Sequence, residues 1–68
     1  MRYAIVIEKA NGNYSAYVPD LPGCVATAES VAAVETEIRQ TIRFHIDVLK
    51  EAGLPRPEAT SIANYVEA

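Results

Sequence analysis

The sequence predicts one α+β domain of β-β-β-α-β order. Three strands form an antiparallel meander, one long helix crosses one face, and a fourth strand lies parallel to the first. Three observations predict this. Two turn signals, Asn11-Gly12-Asn13 and Pro19-Asp20-Leu21-Pro22-Gly23, separate three short strand-like runs. From Val31 the apolar spacing changes to steps of three or four and holds as far as Leu49. Beyond Pro55 and Pro57, residues 61–67 (SIANYVE) regain strand character.

The first run, residues 2–10 (RYAIVIEKA), places Tyr3, Ile5 and Ile7 on one face and Ala4 and Val6 on the other. Nearly continuous apolar character suits a strand covered on both sides. Residues 14–18 alternate around Tyr14, Ala16 and Val18, with Ser15 and Tyr17 opposite, and residues 24–28 form the third run. The connection between them has a rigid, shaped tip. Pro19 and Pro22 fix φ, Gly23 permits a positive φ, and Asp20 can accept from neighbouring backbone N–H groups. Leu21 sits between the prolines and has two readings: a plug for the edge of the core, or a contact presented to a partner.

Ser30 is the expected N-cap of the helix, although Ala33 stands where a capping-box Glu would be. Val31, Val34, Ile38, Ile42, Ile46 and Leu49 make its apolar stripe, while Glu35, Arg39, Arg43, Asp47 and Lys50 form a solvated face. Gly53 and the two prolines end it. A helix over residues 31–52 rises roughly 33 Å, whereas a seven-residue strand reaches about 23 Å, so its last turns overhang the sheet. Phe44, Val48 and Ala52 join Ile46 and Leu49 and widen the apolar arc in that half, which points to contact between subunits through Phe44, Val48 and Leu49. The last run follows a strand and a helix, so a right-handed crossover places it beside the first strand.

Size and charge bound the function. A chain of 68 residues is one small domain that buries only about 60% of its unfolded surface. With one Cys and one His, it has no disulfide framework or metal cluster to stabilise it. Association into a homo-oligomer, a dimer or tetramer, is the remaining expectation. The lone Cys24 fits a reducing cytoplasm, no apolar run reaches the roughly 18 residues of a membrane span, and no signal-peptide pattern opens the chain. Six Lys plus Arg against nine Asp plus Glu give a net charge of −3. With no basic cluster for phosphates, nucleic-acid binding is not expected, and a basic protein is the more suitable partner.

The run Tyr17-Val18-Pro19-Asp20-Leu21-Pro22-Gly23-Cys24, the strand bearing Thr27, the single long helix and the exit Gly53-Leu54-Pro55-Arg56-Pro57 together resemble the HicB-like antitoxin family. The resemblance spans nearly the whole chain, and its two motifs are specific in combination. It implies a truncated ribonuclease H-like fold and an antitoxin that inactivates HicA, a small basic mRNA-cleaving toxin. The contact residues expected for that partner are Tyr17, Asp20 and Leu21, all at the hairpin. Many members also carry a C-terminal DNA-binding domain, which a chain ending at Ala68 is expected to lack. Val31-Ala32-Ala33-Val34 also stands where the family is commonly more acidic.

An enzyme is not expected. Ribonuclease H chemistry requires carboxylates converging on metal ions, one of them in the middle of the first strand. Here the centre is Ala4-Ile5-Val6-Ile7, Glu8 lies towards the end, and Asp20 has no acidic neighbour in sequence. His45 borders the apolar stripe and Cys24 reads as packing, so no nucleophile–base set emerges, and no cofactor is implied. The alternative to an antitoxin is a stand-alone homo-oligomeric domain that binds a small ligand or another protein.

Overall fold

A computed structural model describes all 68 residues. It contains strands β1 (Val6–Ala10), β2 (Asn13–Tyr17) and β3 (Val25–Ala28), followed by helix α1 (Val31–Glu51). The strands pair antiparallel in the order β1-β2-β3, with Ile7 opposite Ala16 and Ala16 opposite Ala26. That register directs Ile7, Ala16 and Ala26 to one face and Val6, Tyr17 and Val25 to the other, as the two-residue period of a strand requires. Gly12, with φ of 78°, makes the tight turn between β1 and β2.

The helix packs on β2 and β3. Its buried residues Val34, Ile38 and Ile46 meet Ala16, Val18, Leu21 and Cys24 in one core, with Ile5, Ile7, Ile42 and Leu49 partly buried around it. The small residues Ala16, Ala26 and Ala28 under the helix let it lie close to the sheet. Both helix ends are capped by local sequence. The Ser30 side chain accepts from the Ala33 N–H at 3.1 Å. At the other end Gly53, φ 71°, donates to the Lys50 carbonyl and Leu54 donates to that of Leu49, which is the Schellman pair of hydrogen bonds.

Two expectations are corrected. The first strand is shorter than the apolar run, since ladder pairing begins at Val6 and residues 2–5 lead into it. The fourth strand does not form in the chain's own sheet, which has three strands; residues 61–67 carry no ladder. The cause lies in how residues 57–61 are tied down. Tyr3 donates its hydroxyl hydrogen bond to the Pro57 carbonyl, and Asp20, on the β2–β3 loop, captures Thr60 and Ser61. The segment is thereby held against residues 2–4 and the β2–β3 loop without a ladder.

Candidate partner-binding surface

The β2–β3 connection is two β-turns in succession. Leu21 donates its N–H to Val18 at 3.1 Å, and Cys24 donates to Leu21 at 3.1 Å. Each turn has a proline in its second position, Pro19 and then Pro22. Gly23, φ 84°, stands third in the latter, which makes that turn type II. Leu21 is the shared corner of the two turns, and its side chain points inward with none of its surface exposed. Of its two readings, the core plug is the one this geometry fits. Any role in recognition acts through the loop shape that Leu21 anchors, since the side chain offers no surface.

Asp20 does lie at the surface of the loop, yet both carboxylate oxygens are engaged. Oδ2 accepts the Ser61 N–H at 2.9 Å, while Oδ1 accepts the Ser61 hydroxyl at 2.8 Å and the Thr60 hydroxyl at 3.2 Å. The Ser61 backbone N–H and then its hydroxyl hold the carboxyl below its ordinary pKa, against a smaller desolvation effect in the other direction. A residue read as a presented acid is therefore also a clamp. No local sequence signal links positions 20 and 61, which are joined only through the fold.

Tyr17 is the centre of a row. On the sheet face turned away from the helix, Val6 pairs with Tyr17 and Tyr17 with Val25, so three apolar side chains span the full width of the sheet. Val25 is 63% exposed and Tyr17 41%. Glu8 and Thr27 stand on the same face, next along their strands. The row is apolar and acid-flanked with an aromatic residue in the middle, exposed at Tyr17 and Val25 and half-buried at Val6.

A second apolar area lies on the distal half of the helix. Phe44 is 71% exposed and Val48 is also exposed, one turn apart on the same side, while Leu49 is half-buried against the core. The overhang expected from length is present, because α1 has 21 residues over strands of four and five. A third feature was not foreseen. A groove of about 360 Å³ runs between the helix and residues 1–5, floored by Tyr3, Ile5, Ile38 and Ile42. Arg2, Arg39, Arg43 and Glu35 line its rim, so two arginines read as merely solvated border a cleft.

The remaining candidate nucleophile and base are Cys24 and His45. Cys24 is buried in the core, where desolvation pushes its thiol pKa up and away from the reactive thiolate. His45 is on the helix, half-buried, and no group of three or more His, Cys, Asp or Glu side chains converges to hold a metal ion. No helix is long and apolar enough to cross a membrane.

Comparison with known proteins gives the chain its family. Residues 3–68 match the family model described as the HicB-like antitoxin of bacterial toxin-antitoxin system. A protein from the rep-hol intergenic region of Haemophilus phage HP1 is 33% identical over 66 residues, covering 97% of this chain and 50% of that protein. The chain thus spans half the length of that relative. A UPF0150 protein of Archaeoglobus fulgidus is 39% identical over 51 residues, 74% of each chain. Another, from Thermoplasma acidophilum, is 34% identical over 65 residues, 91% of this chain and 94% of that one. No solved structure matches. The chain belongs to the HicB-like antitoxin family of bacterial toxin–antitoxin systems.

Proposed function

We propose that this chain is the antitoxin of a type II pair. It inhibits a small basic HicA-like mRNA-cleaving toxin by covering the toxin's active or RNA-binding surface. The observation that carries the reading, beside family membership, is the Val6–Tyr17–Val25 row. Exposed Tyr17 and Val25 lie side by side on it with half-buried Val6 next to them, and an exposed aromatic residue within an apolar row is a usual anchor of an interface. The net charge of −3 and the flanking Glu8 suit a basic partner. Tyr17 is the principal contact. Asp20 faces the partner at the rim, and Leu21 holds the loop from inside.

Inhibition is steric and electrostatic, with no bond made or broken, and no cofactor or metal takes part. The exposed Phe44 and Val48, with Leu49 beneath them, join copies of the chain into a dimer or tetramer in the cytoplasm. The ribonuclease H-like reading of the fold rests on the family resemblance and the β-β-β-α order. Direct nucleic-acid binding is not part of this function, since the net charge is −3 and the three arginines of the groove rim are fewer than the phosphate contacts of an ordinary nucleic-acid site.

Co-expression with the small basic protein encoded in the adjacent reading frame tests the proposal. The wild-type chain restores growth and co-purifies with that protein. Tyr17→Ala weakens the complex by roughly 1–2 kcal/mol, about a tenfold loss of affinity, without unfolding the chain. Failure of the wild-type chain to relieve arrest by any HicA-like toxin overturns the reading.

A further inference from the structure

Every arginine of this acidic chain gathers at one place. Arg2, Arg39 and Arg43 line the groove between the helix and residues 1–5. Arg56 donates to the sulfur of Met1 at 3.2 Å, and Met1 lines the groove too. Of the nine Asp and Glu residues Glu35 alone lines it, and neither Lys9 nor Lys50 does. Arg2, Arg39 and Arg43 take no part in the side-chain hydrogen bonds of the molecule. Arg39 and Arg43 stand one turn apart on the same side of α1, where like charges repel unless an anion lies between them. The floor beneath the guanidinium groups is Tyr3, Ile5, Ile38 and Ile42. The Pro57 carbonyl engages the Tyr3 hydroxyl and holds that residue in place, so the floor is apolar and fixed.

We propose that this groove binds a small organic phosphate monoester with an apolar or aromatic body. Charge, size and floor each narrow the occupant. Arg2 stands on one wall, with Arg39 and Arg43 on the other. A carboxylate is planar and is filled by one or two arginine forks. A phosphate monoester turns three oxygens and nearly two negative charges to its surroundings, so it can meet guanidinium groups arriving from both walls. Arginine in place of lysine is the choice for such bidentate recognition. The volume of about 360 Å³ lies at the small end of the range for small-molecule clefts. Its nine lining residues are far short of the roughly 20–30 a side of a stable protein interface. The apolar floor takes the body of an ester, which a bare phosphate ion lacks, and Glu35 can accept from a hydroxyl or N–H on that body. The groove is on the helix side of the sheet, whereas the Val6–Tyr17–Val25 row faces away from the helix, so the site is independent of the proposed toxin-binding surface.

The test titrates the isotope-labelled whole chain with phenyl phosphate at neutral pH and follows its amide and arginine side-chain signals. Saturable shifts are expected at residues 1–5 and 35–43. Inorganic phosphate binds roughly tenfold more weakly or worse, because it leaves the apolar floor uncovered. Arg39→Gln/Arg43→Gln lowers the affinity for phenyl phosphate by about tenfold or more. Both side chains are exposed on the helix, so the core signals stay where they are. Lys9→Gln/Lys50→Gln removes the same charge away from the groove and leaves the affinity unchanged. The comparison of phenyl phosphate with inorganic phosphate on the wild type needs no variant. Absence of saturable shifts at millimolar phenyl phosphate overturns the proposal, as do shifts that survive the arginine double variant. Equal affinity for inorganic phosphate overturns it as well and leaves an adventitious ion only. Tighter binding of hexaglutamate or of a short single-stranded oligonucleotide at the same residues also overturns it, in favour of an acidic segment or a nucleic acid.

Discussion

Replacing Leu21 with alanine separates the two roles that a leucine between two prolines can have. Its side chain is fully buried at the shared corner of two turns and packs in the seven-residue core. Truncating such a residue removes transfer free energy and leaves a cavity, at a cost of about 2–5 kcal/mol. The loop cannot easily collapse to fill the space, because Pro19 and Pro22 fix the backbone on either side. The loss therefore belongs in the upper half of that range, about 3–5 kcal/mol. A domain of this size has a total stability of roughly 3–10 kcal/mol, so Leu21→Ala lies at the border of unfolding at room temperature. Urea titration followed by far-ultraviolet circular dichroism reads the shift in midpoint with the slope unchanged. A loss under about 1 kcal/mol, accompanied by loss of toxin neutralisation, refutes the packing argument and makes Leu21 a presented contact.

The other predictions concern the clamp and the cap. Asp20→Ala frees the segment after Pro57, and limited proteolysis then cuts between residues 58 and 68 faster than in the wild type while the core persists. Because folding lowers the Asp20 pKa, the clamp's contribution is fully present above the ordinary carboxyl value of about 4 and is lost as pH falls from there through the depressed folded value. The Ser61 amide signal reports this as a shift confined to acid pH. Unchanged signals at Ser61 between neutral and strongly acidic solution refute the clamp. Ser30→Ala removes the acceptor for the Ala33 N–H, with no acidic residue in the first turn to compensate, and costs about 1 kcal/mol in the same urea assay.

Where local chemistry decided the structure, the sequence was readable. Asn11-Gly12 and Pro22-Gly23 dictate turns through φ alone, and the three strands and their antiparallel order followed from them. The helix was equally plain, because Ser30 and Gly53 bracket an uninterrupted apolar stripe. The final strand was not. SIANYVE has the composition of a strand, but composition does not say which edge it pairs with, and two tertiary hydrogen-bond sets divert its root. Asp20 illustrates the same limit at the candidate site. An acid in a tight loop looks available to a partner until Ser61, 41 positions away, is seen to hold it. The groove was hidden for a related reason: Arg39 and Arg43 border a cleft only because the helix is displaced from β1 towards β3.

That clamp has a thermodynamic consequence for whatever approaches the hairpin. Three of the roughly four acceptor positions of the Asp20 carboxylate are filled, two on Oδ1 and one on Oδ2. A single N–H donor from a partner can therefore take the remaining position on Oδ2 and leave the clamp in place, whereas a bidentate arginine fork, which needs both oxygens, competes with the Ser61 and Thr60 hydrogen bonds. For such a fork the free energy of releasing residues 60 and 61 is subtracted from its affinity. By reciprocity the anchored segment weakens it by the factor with which it loosens the segment.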